Sequence, residues 1–351
     1  MSEANIPIPA TARVKLDRKA LAANWHALNR LSGEAKAGAA VKANGYGLGV
    51  REVVHHLLAA GCEDFFVANW QEAREIEGLT AGKASVSVLN GVREPDMPFA
   101  VQSPAKPVLN SLEQLARWRP AGRPCDIMIN SGMNRLGINV DDLGSDLFSG
   151  LEIDLAMSHL ASADEEGPQN SDQLARYRAA LAIVPRSRTS LANSAGITLG
   201  SDYHFDVTRP GLSLYGGVQR PELTGCIQQV AMLQAEILQV RTLQPGDKLG
   251  YNAQYIAGHS HAVGILGMGY ADGYLRGFSN RGIFLHNGTR LPVLGRVSMD
   301  LIAIDLSDAP GLKEGDWVDC DYDLRTASEQ SGLSQYELIT GLGHRLPRDW
   351  A

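Results

Sequence analysis

Residues 37–43, AGAAVKA, are the first of six short apolar runs that decide the fold. The other runs are residues 65–70, FFVANW; 85–89, SVSVL; 126–130, DIMIN; 153–160, IDLAMSHL; and 189–194, TSLANS. Helix-like patterns fill the intervals, and such alternation is typical of a parallel sheet covered by helices. About eight units of this kind fit between residues 37 and 215, which predicts a (β/α)8 barrel of the TIM type.

After about residue 225 the chain becomes rich in strands that are separated by glycine-containing turns. Closely spaced turn signals predict a mostly antiparallel β domain. A chain of 351 residues also exceeds what one hydrophobic core usually supports. We therefore predict a barrel domain at residues 10–220 and a β-rich domain at residues 221–351. A strand near residues 11–17 fits either domain.

The composition excludes several classes of protein. A net charge of -7, without a basic block, argues against nucleic acid or an anionic membrane as the partner and favours a small molecule. No apolar run is long enough to predict a signal peptide or a membrane span. The chain has four scattered cysteines, which are Cys62, Cys125, Cys226 and Cys320. Their spacing predicts reduced thiols and no metal site, as expected of a cytoplasmic protein.

Lys42 directly follows the first apolar run and precedes a glycine-rich loop. Partial desolvation at the end of a buried strand lowers the pKa of a lysine and makes the amine nucleophilic toward carbonyls. By spacing alone, a solvent-facing lysine on a barrel rim is the more usual interpretation. The whole segment, VKANGYG at residues 41–47, resembles the pyridoxal-phosphate lysine motif of alanine racemases. That motif has Ala and His where this chain has Gly45 and Leu48.

The resemblance extends from about residue 13 to 348 and predicts a fold type III enzyme that contains pyridoxal 5′-phosphate. It implies that Lys42 holds the cofactor covalently and that Tyr46 contacts the cofactor phosphate. It also implies a homodimer in which each active site takes its lysine from one subunit and its tyrosine from the other.

Three further barrel segments carry the resemblance. SHLASADE at residues 158–165 is similar to THFATADE, LANSAG at 191–196 to CANSAA, and RPGLSLYGG at 209–217 to RxGIxxYG. The resemblance implies that His159 lies near the cofactor ring and Asp164 at the substrate entrance. Small residues and backbone amides near a helix start supply neutral donors to a phosphate. The resemblance implies that Ser194, Gly211 and Leu212 hold the cofactor phosphate, with Asn193 beside them.

Arg209 has a separate implied role, because in the resembled family an arginine faces the pyridine nitrogen of the cofactor. A guanidinium stays charged and cannot give that nitrogen a proton. The cofactor then remains a weaker electron sink, which disfavours transamination and other side reactions. A surface ion pair is the alternative interpretation of Arg209.

Tyr251 lies in LGYNAQY, residues 249–255, which resembles SYGATY of the family. A tyrosine in a strand is more commonly a core residue. Inversion of a stereocentre, however, requires removal of a proton from one face and its return on the other, so two opposed bases are needed. The resemblance implies that Lys42 and Tyr251 are these bases, and that a chain from Arg209 through His159 activates the phenol.

Two motifs of the β domain carry the predicted entrance. GYADGYLR at residues 269–276 is nearly GYADGxxR, and GRVSMD at 295–300 matches GRVCMD with Ser298 for the usual cysteine. The resemblance implies that the backbone amide of Met299 receives the substrate carboxylate. The implied entrance residues here are Tyr270, Arg276 and Arg296.

Two segments depart from the family pattern. IMINSGMNRLG at residues 127–137 is similar to KIDTGMGRLG, which implies that Arg135 contacts the substrate carboxylate. Met128 replaces a lysine that many members carry in carbamylated form, so we expect Asn130 or a bound anion to face Arg135 instead. In YELITGLGHRLPR, residues 336–348, His344 replaces a tyrosine that meets the phosphate.

The predicted function is the interconversion of L- and D-alanine, for peptidoglycan synthesis or for alanine catabolism. The departures at Met128, Ser298 and His344 keep open a racemase of wider range that accepts serine or basic amino acids. A non-catalytic regulatory barrel would need no second domain. A fold type III decarboxylase would need a catalytic cysteine, and Ser298 occupies the closest matching position.

Overall fold

Eight parallel strands form a closed barrel in the computed structural model, which describes residues 8–351. Backbone hydrogen bonds from Gly38 N to Thr208 O (2.9 Å) and from Arg209 N to Ala192 O (2.8 Å) close the ring. The predicted (β/α)8 barrel is confirmed. Its strands are Lys36–Ala37 continued by Ala39–Ala40, Asp64–Val67, Ser85–Val88, Lys106–Leu109, Cys125–Asn130, Ile153–Met157, Arg188–Ser190 and Val207–Thr208.

The barrel strands are apolar because helices cover their outer face. Val50–Ala60, for example, buries Val50, Val53, Val54 and Leu57, which form one stripe at helical spacing. A short strand, Ile138–Asn139, lies outside the ring and pairs with Cys125–Asn130. The helices that accompany the barrel are Arg18–Leu31, Lys42–Tyr46, Val50–Ala60, Trp70–Thr80, Met97–Ala100, Leu112–Trp118 and Pro168–Leu181.

Charged residues at the amino ends of the strands pair with one another. Arg188 binds Asp64 through two hydrogen bonds of 2.9 Å and also contacts Asp154. Lys106 lies 3.4 Å from the buried carboxylate of Asp126 and binds Asp154 as well. This end of a TIM barrel usually serves stability, whereas the opposite end carries the active site.

The remaining strands form a mostly antiparallel sheet, as predicted. The long strand Ala231–Leu243 pairs with Trp317–Cys320 along its first part and with His261–Leu266 along its second part, which closes a ring of six strands. The other strands of this sheet are Ala12–Leu16, Ile283–His286, Thr289–Leu294, Ile302–Asp305 and Arg348–Trp350. Lys248–Leu249 and Tyr255–Ile256 pair with each other in a separate two-stranded sheet. The α-helices described in this part of the chain are Leu324–Ser331 and Gln335–Thr340.

The two compact units differ from the predicted ranges of 10–220 and 221–351. The barrel unit is Lys19–Gln228, and the sheet unit combines Gln229–Ala351 with the described residues before Lys19. Ala12–Leu16 belongs with the sheet because it pairs with two of the sheet's strands. Residues 221–228 stay with the barrel, because the side chain of Asn24 donates to Gln228 O (2.8 Å) and accepts from Gln228 N (2.7 Å).

Among the described residues, we find no helix of sufficient length and apolar character to span a membrane.

Candidate active site

Lys42 lies at the carboxyl end of the first barrel strand and begins an unusual turn. Residues 43–46 all have φ between +53° and +62°, a left-handed conformation that costs roughly 1–2 kcal/mol for each non-glycine residue. Gly45 adopts it without that cost. Hydrogen bonds from Gly45 N to Val41 O (2.9 Å) and from Val50 N to the Asn44 side chain (2.8 Å) hold the turn.

Glu72 also holds this turn, and the sequence analysis missed it. One carboxylate oxygen of Glu72 accepts a hydrogen bond from Ala43 N (2.8 Å), and the other accepts from Ala68 N (2.7 Å). Asn69 caps the same helix by accepting from Glu72 N (3.0 Å). The available signal was the spacing of Asn69 and Glu72, which is typical of a helix start. That spacing gives no sign of the bond to Ala43.

The ammonium group of Lys42 is half-buried in a positively charged environment. Its pKa is lowered, chiefly by burial and then by the charge of Arg135; Glu72 opposes this shift and Arg209 adds to it. A lysine with a lowered pKa carries more of the neutral amine, the form that attacks a carbonyl carbon. The environment therefore suits an imine-forming lysine.

Arg209 is 5% exposed, and it binds no carboxylate among the described residues. Its guanidinium donates to Ser158 O and to the hydroxyl of Ser190, and more weakly to Leu191 O at 3.5 Å. Burial lowers the pKa of Arg209 to about 10, so the group remains charged at neutral pH. A permanent cation is thus held by neutral hydrogen-bond acceptors.

His159 contacts Arg209 through a hydrogen bond of 3.5 Å between its Nδ1 and Nη2 of the arginine. Arginine can only donate, so Nδ1 must accept and the imidazole proton lies on Nε2. Burial, followed by the charges of Arg209, Arg135 and Lys42, lowers the pKa of His159 to about 3. The ring is therefore neutral at physiological pH and can donate through Nε2.

A cradle for a phosphate lies at the start of the short helix Leu212–Tyr215. The hydroxyl of Ser194 accepts from Gly211 N (2.9 Å) and Ser213 N (3.3 Å). A Cβ on Gly211 would stand 2.2 Å from the hydroxyl of Tyr46, so any other residue would fill this space. The buried hydroxyl of Ser213 has no hydrogen-bond partner among the described residues. A phosphate would supply such a partner, so these residues fit the cofactor.

Asn193 makes a local contact, because its side-chain oxygen accepts a hydrogen bond from Gly196 N at 2.8 Å and caps the following turn.

The ring of Tyr46 stacks on Tyr215 with 4.6 Å between the ring centroids. Tyr215 in turn donates to Ala40 O at 2.9 Å. This stacking fixes Tyr46 beside the cradle.

Asn130 is not the counter-group of Arg135, so of the two predicted alternatives only a bound anion stays a prediction. Its amide nitrogen donates to the side chains of Asn134 (3.0 Å) and Asn139 (2.9 Å), and its oxygen accepts from Asn134 N (2.9 Å). Asn130 therefore has its hydrogen-bond partners in Asn134 and Asn139, a pairing that sequence spacing does not reveal. Met128 is 8% exposed, and Arg135 is exposed with no ion pair to any described residue.

Asp164 is exposed on the loop that follows the strand of His159. Arg220, which the sequence analysis did not single out, anchors this loop by donating to Ala163 O (3.2 Å) and to the carboxylate of Glu166. The loop therefore has a defined position at the carboxyl end of the barrel.

Tyr251 lies between Lys248–Leu249 and Tyr255–Ile256, two short paired strands of the sheet unit. It is 68% exposed, and the next residues, Asn252 and Ala253, have φ of +60° and +49°.

The other predicted residues of the sheet unit occupy neighbouring segments. The guanidinium of Arg276 lies 4.9 Å from the ring centre of Tyr270. Tyr270 N donates to Ser298 O (3.0 Å), which places Tyr270 beside Met299. Met299 is 53% exposed, Arg296 is half-buried and His344 is exposed.

Comparison with known proteins identifies the family. Residues 16–219 match the model of the alanine racemase N-terminal domain, and residues 230–350 match that of the C-terminal domain. An alanine racemase of Rhodospirillum rubrum is 41% identical over 97% of this chain and 96% of its own length. A catabolic alanine racemase of Agrobacterium fabrum is 37% identical over 97% of this chain and 92% of its own length.

A solved structure agrees with these matches. Alanine racemase from Bartonella henselae, with covalently bound pyridoxal phosphate, superimposes with a TM-score of 0.91 at 32% identity, over 98% of this chain and all of that one. The biosynthetic enzyme of Pseudomonas aeruginosa has a TM-score of 0.87 at 30% identity, over 98% of this chain and all of that one. This chain therefore belongs to the alanine racemase family.

Proposed function

We propose that the protein interconverts L- and D-alanine with pyridoxal 5′-phosphate, using Lys42 and Tyr251 as the two bases. The observation that carries the proposal is the buried group of Lys42, His159 and Arg209 beside a phosphate-sized cradle. When bound, the cofactor supplies an electron sink for the pair of electrons left when the α-proton of the substrate departs.

The barrel residues provide the binding chemistry. Lys42 would hold the cofactor covalently, and Ser194, Tyr46 and the amides of Gly211 and Leu212 would bind its phosphate. The Gly211 amide donates to the hydroxyl of Ser194 (2.9 Å), so this donor is directed into the cradle. His344 of the sheet unit is the remaining proposed phosphate ligand.

Arg209 and His159 set the protonation states. Arg209 keeps its proton, so beside the pyridine nitrogen of a bound cofactor it would not protonate that nitrogen. His159 carries its proton on Nε2, which can donate to the phenolate oxygen of Tyr251 and so favour the deprotonated form that acts as the base. The hydrogen bond of 3.5 Å between Arg209 and His159 supports this relay.

The substrate carboxylate would bind between the side chain of Arg135 and the backbone amide of Met299. Among the described residues, neither group has an ion-pair or hydrogen-bond partner that competes for this role. Four residues would line the route of entry, and all are half-buried or exposed: Asp164, Tyr270, Arg276 and Arg296.

We further propose a homodimer with two shared active sites, because Tyr251 is 68% exposed within its own chain. A two-fold dimer would bring the sheet unit of one subunit to the barrel of the other. Both wall synthesis and alanine catabolism stay predictions, since its relatives include both catabolic and biosynthetic forms. The cytoplasmic location and the range beyond alanine stay predictions.

Mixed dimers test this function and the shared site together. Lys42→Ala and Tyr251→Phe homodimers should each be nearly inactive. After subunit exchange of equal amounts, about half the dimers are mixed and each has one intact site, so roughly a quarter of wild-type activity should return. Inactive mixtures with verified exchange would show that both bases come from one chain. A wild-type protein without alanine racemisation would contradict the function itself.

A further inference from the structure

We propose that Arg345 is a positioning residue that clamps the three segments bearing the entrance and carboxylate-binding groups, a role that rests on the proposed function. Its Nε and Nη2 donate to the two carboxylate oxygens of Asp272, both at 3.0 Å. Its Nη1 donates to Asp300 at 2.8 Å. Asp272 lies in the GYADG motif, Asp300 in GRVSMD and Arg345 itself in the C-terminal GHRLPR, so the two ion pairs join all three motifs.

The same three segments also contact through their backbones. Tyr270 N donates to Ser298 O (3.0 Å), and Gly343 N donates to Asp272 O (3.0 Å). A Cβ on Gly343 would stand 2.5 Å from the carbonyl oxygen of Ala271. The segments thus meet without intervening side chains, and small shifts of one segment must move the others.

This contact determines the direction of the Met299 amide. A trans peptide points its C=O and N–H in opposite directions. Because the carbonyl of Ser298 accepts from Tyr270 N, the N–H of Met299 points away from the GYADG segment. The next carbonyl, that of Met299, accepts from Ala271 N at 3.0 Å and fixes the other side of the residue. The clamp therefore keeps this donor ready for a carboxylate.

The two ion pairs of Arg345 differ in environment. The side chain of Asp272 is 7% exposed, and the same carboxylate accepts from Gly269 N (3.0 Å), so it depends on a cationic partner. The side chain of Asp300 is 55% exposed and has access to water. A planar guanidinium can bind one carboxylate with two bonds and reach a second one, whereas a lysine cannot reproduce this geometry.

The test compares Arg345→Met and Arg345→Lys in the holoenzyme. Loosening a binding donor affects ground and transition states alike, so KM for L-alanine should rise about tenfold in Arg345→Met while kcat falls less than about threefold. Arg345→Lys should raise KM about threefold. Arg325→Met is the control, because Arg325 makes only an exposed pair with Glu329 in the same unit, and its KM should not change.

Hydrogen exchange supplies a second readout that does not depend on activity. Amides of residues 296–301 should exchange faster in Arg345→Met than in the wild type and in Arg325→Met. An unchanged KM together with unchanged exchange in the folded variant would overturn the clamp. If the wild type does not racemise alanine, the proposed function fails, and the exchange rates alone decide whether Arg345 holds the segments.

Discussion

In the barrel unit, Arg209 and Tyr46 are each 5% exposed and Ser194 is 2% exposed, whereas Tyr251 and Met299 of the sheet unit are 68% and 53% exposed. The first group is enclosed by strand ends and helices of its own unit. The second group lies on turns whose backbones are fixed but whose functional atoms face outward. The barrel unit thus encloses its candidate site residues, whereas the sheet unit displays its own at the surface.

The electrostatics of the barrel show a second contrast, between its two ends. At the amino end, Lys106 and Arg188 are paired with carboxylates. At the carboxyl end, Arg209 has only neutral partners among the described residues, and the charge of Arg135 contributes to the lowered pKa of Lys42. Uncompensated positive charge near a cradle attracts an anion, which suits a phosphate ester and a carboxylate.

The largest expected effect on racemisation comes from a change in the barrel unit. Lys42→Ala should reduce racemisation at least about 10⁴-fold, because it removes both the covalent attachment and one base. Purified variant should also lose the visible absorbance of a covalently held cofactor. Lys36→Ala, an exposed lysine on the same strand segment, is the control and should retain full activity. Full activity in Lys42→Ala would remove the basis of the assignment.

A change at Tyr251 of the sheet unit should affect the rate but not the binding of the cofactor. Tyr251→Phe should lose about 10²–10⁴-fold in rate, the usual contribution of a general base, while the cofactor remains covalently held. Its melting temperature should match the wild type, because the removed hydroxyl is on an exposed side chain. Tyr336→Phe, another exposed tyrosine of the sheet unit, should leave the rate unchanged. A marked loss of stability in Tyr251→Phe would contradict the contrast between the units.

A smaller effect should appear in the pH dependence of stability. The pKa of His159 is about 3 in the folded protein, below the ordinary 6.5, so the unfolded state binds an extra proton between these values. Wild-type stability should therefore fall relative to His159→Gln as pH decreases below 6.5, by up to about 1.4 kcal/mol per pH unit. Urea unfolding at pH 7.5, 6.5 and 5.5 measures the difference. A difference that does not vary with pH would show that His159 titrates normally.

Short sequence motifs predicted where several candidate site residues lie along the fold. Lys42 and Arg209 follow strands directly, and the fold class and the family are confirmed. Contacts between distant segments were not predictable. Glu72 supports the Lys42 turn from another helix, and Asn130 binds other asparagines rather than Arg135. Such pairings depend on which turns fold against each other, a property that periodicity does not encode.

The smallest expected effect concerns Met128, a buried residue of the barrel strand Cys125–Asn130. Because a thioether cannot react with carbon dioxide, wild-type activity should be the same in bicarbonate-free and bicarbonate-containing buffer. Met128→Lys would place an amine at a position that is 8% exposed. A buried unpaired ammonium is costly, so this variant should either be less stable or gain activity with bicarbonate, since a carbamate would replace the positive charge with a negative one. Met128→Leu, which keeps the volume, is the control and should behave as the wild type. A wild-type enzyme that requires bicarbonate would show that some other lysine carries the carbamate, and that Arg135 is held by a partner from outside its own unit.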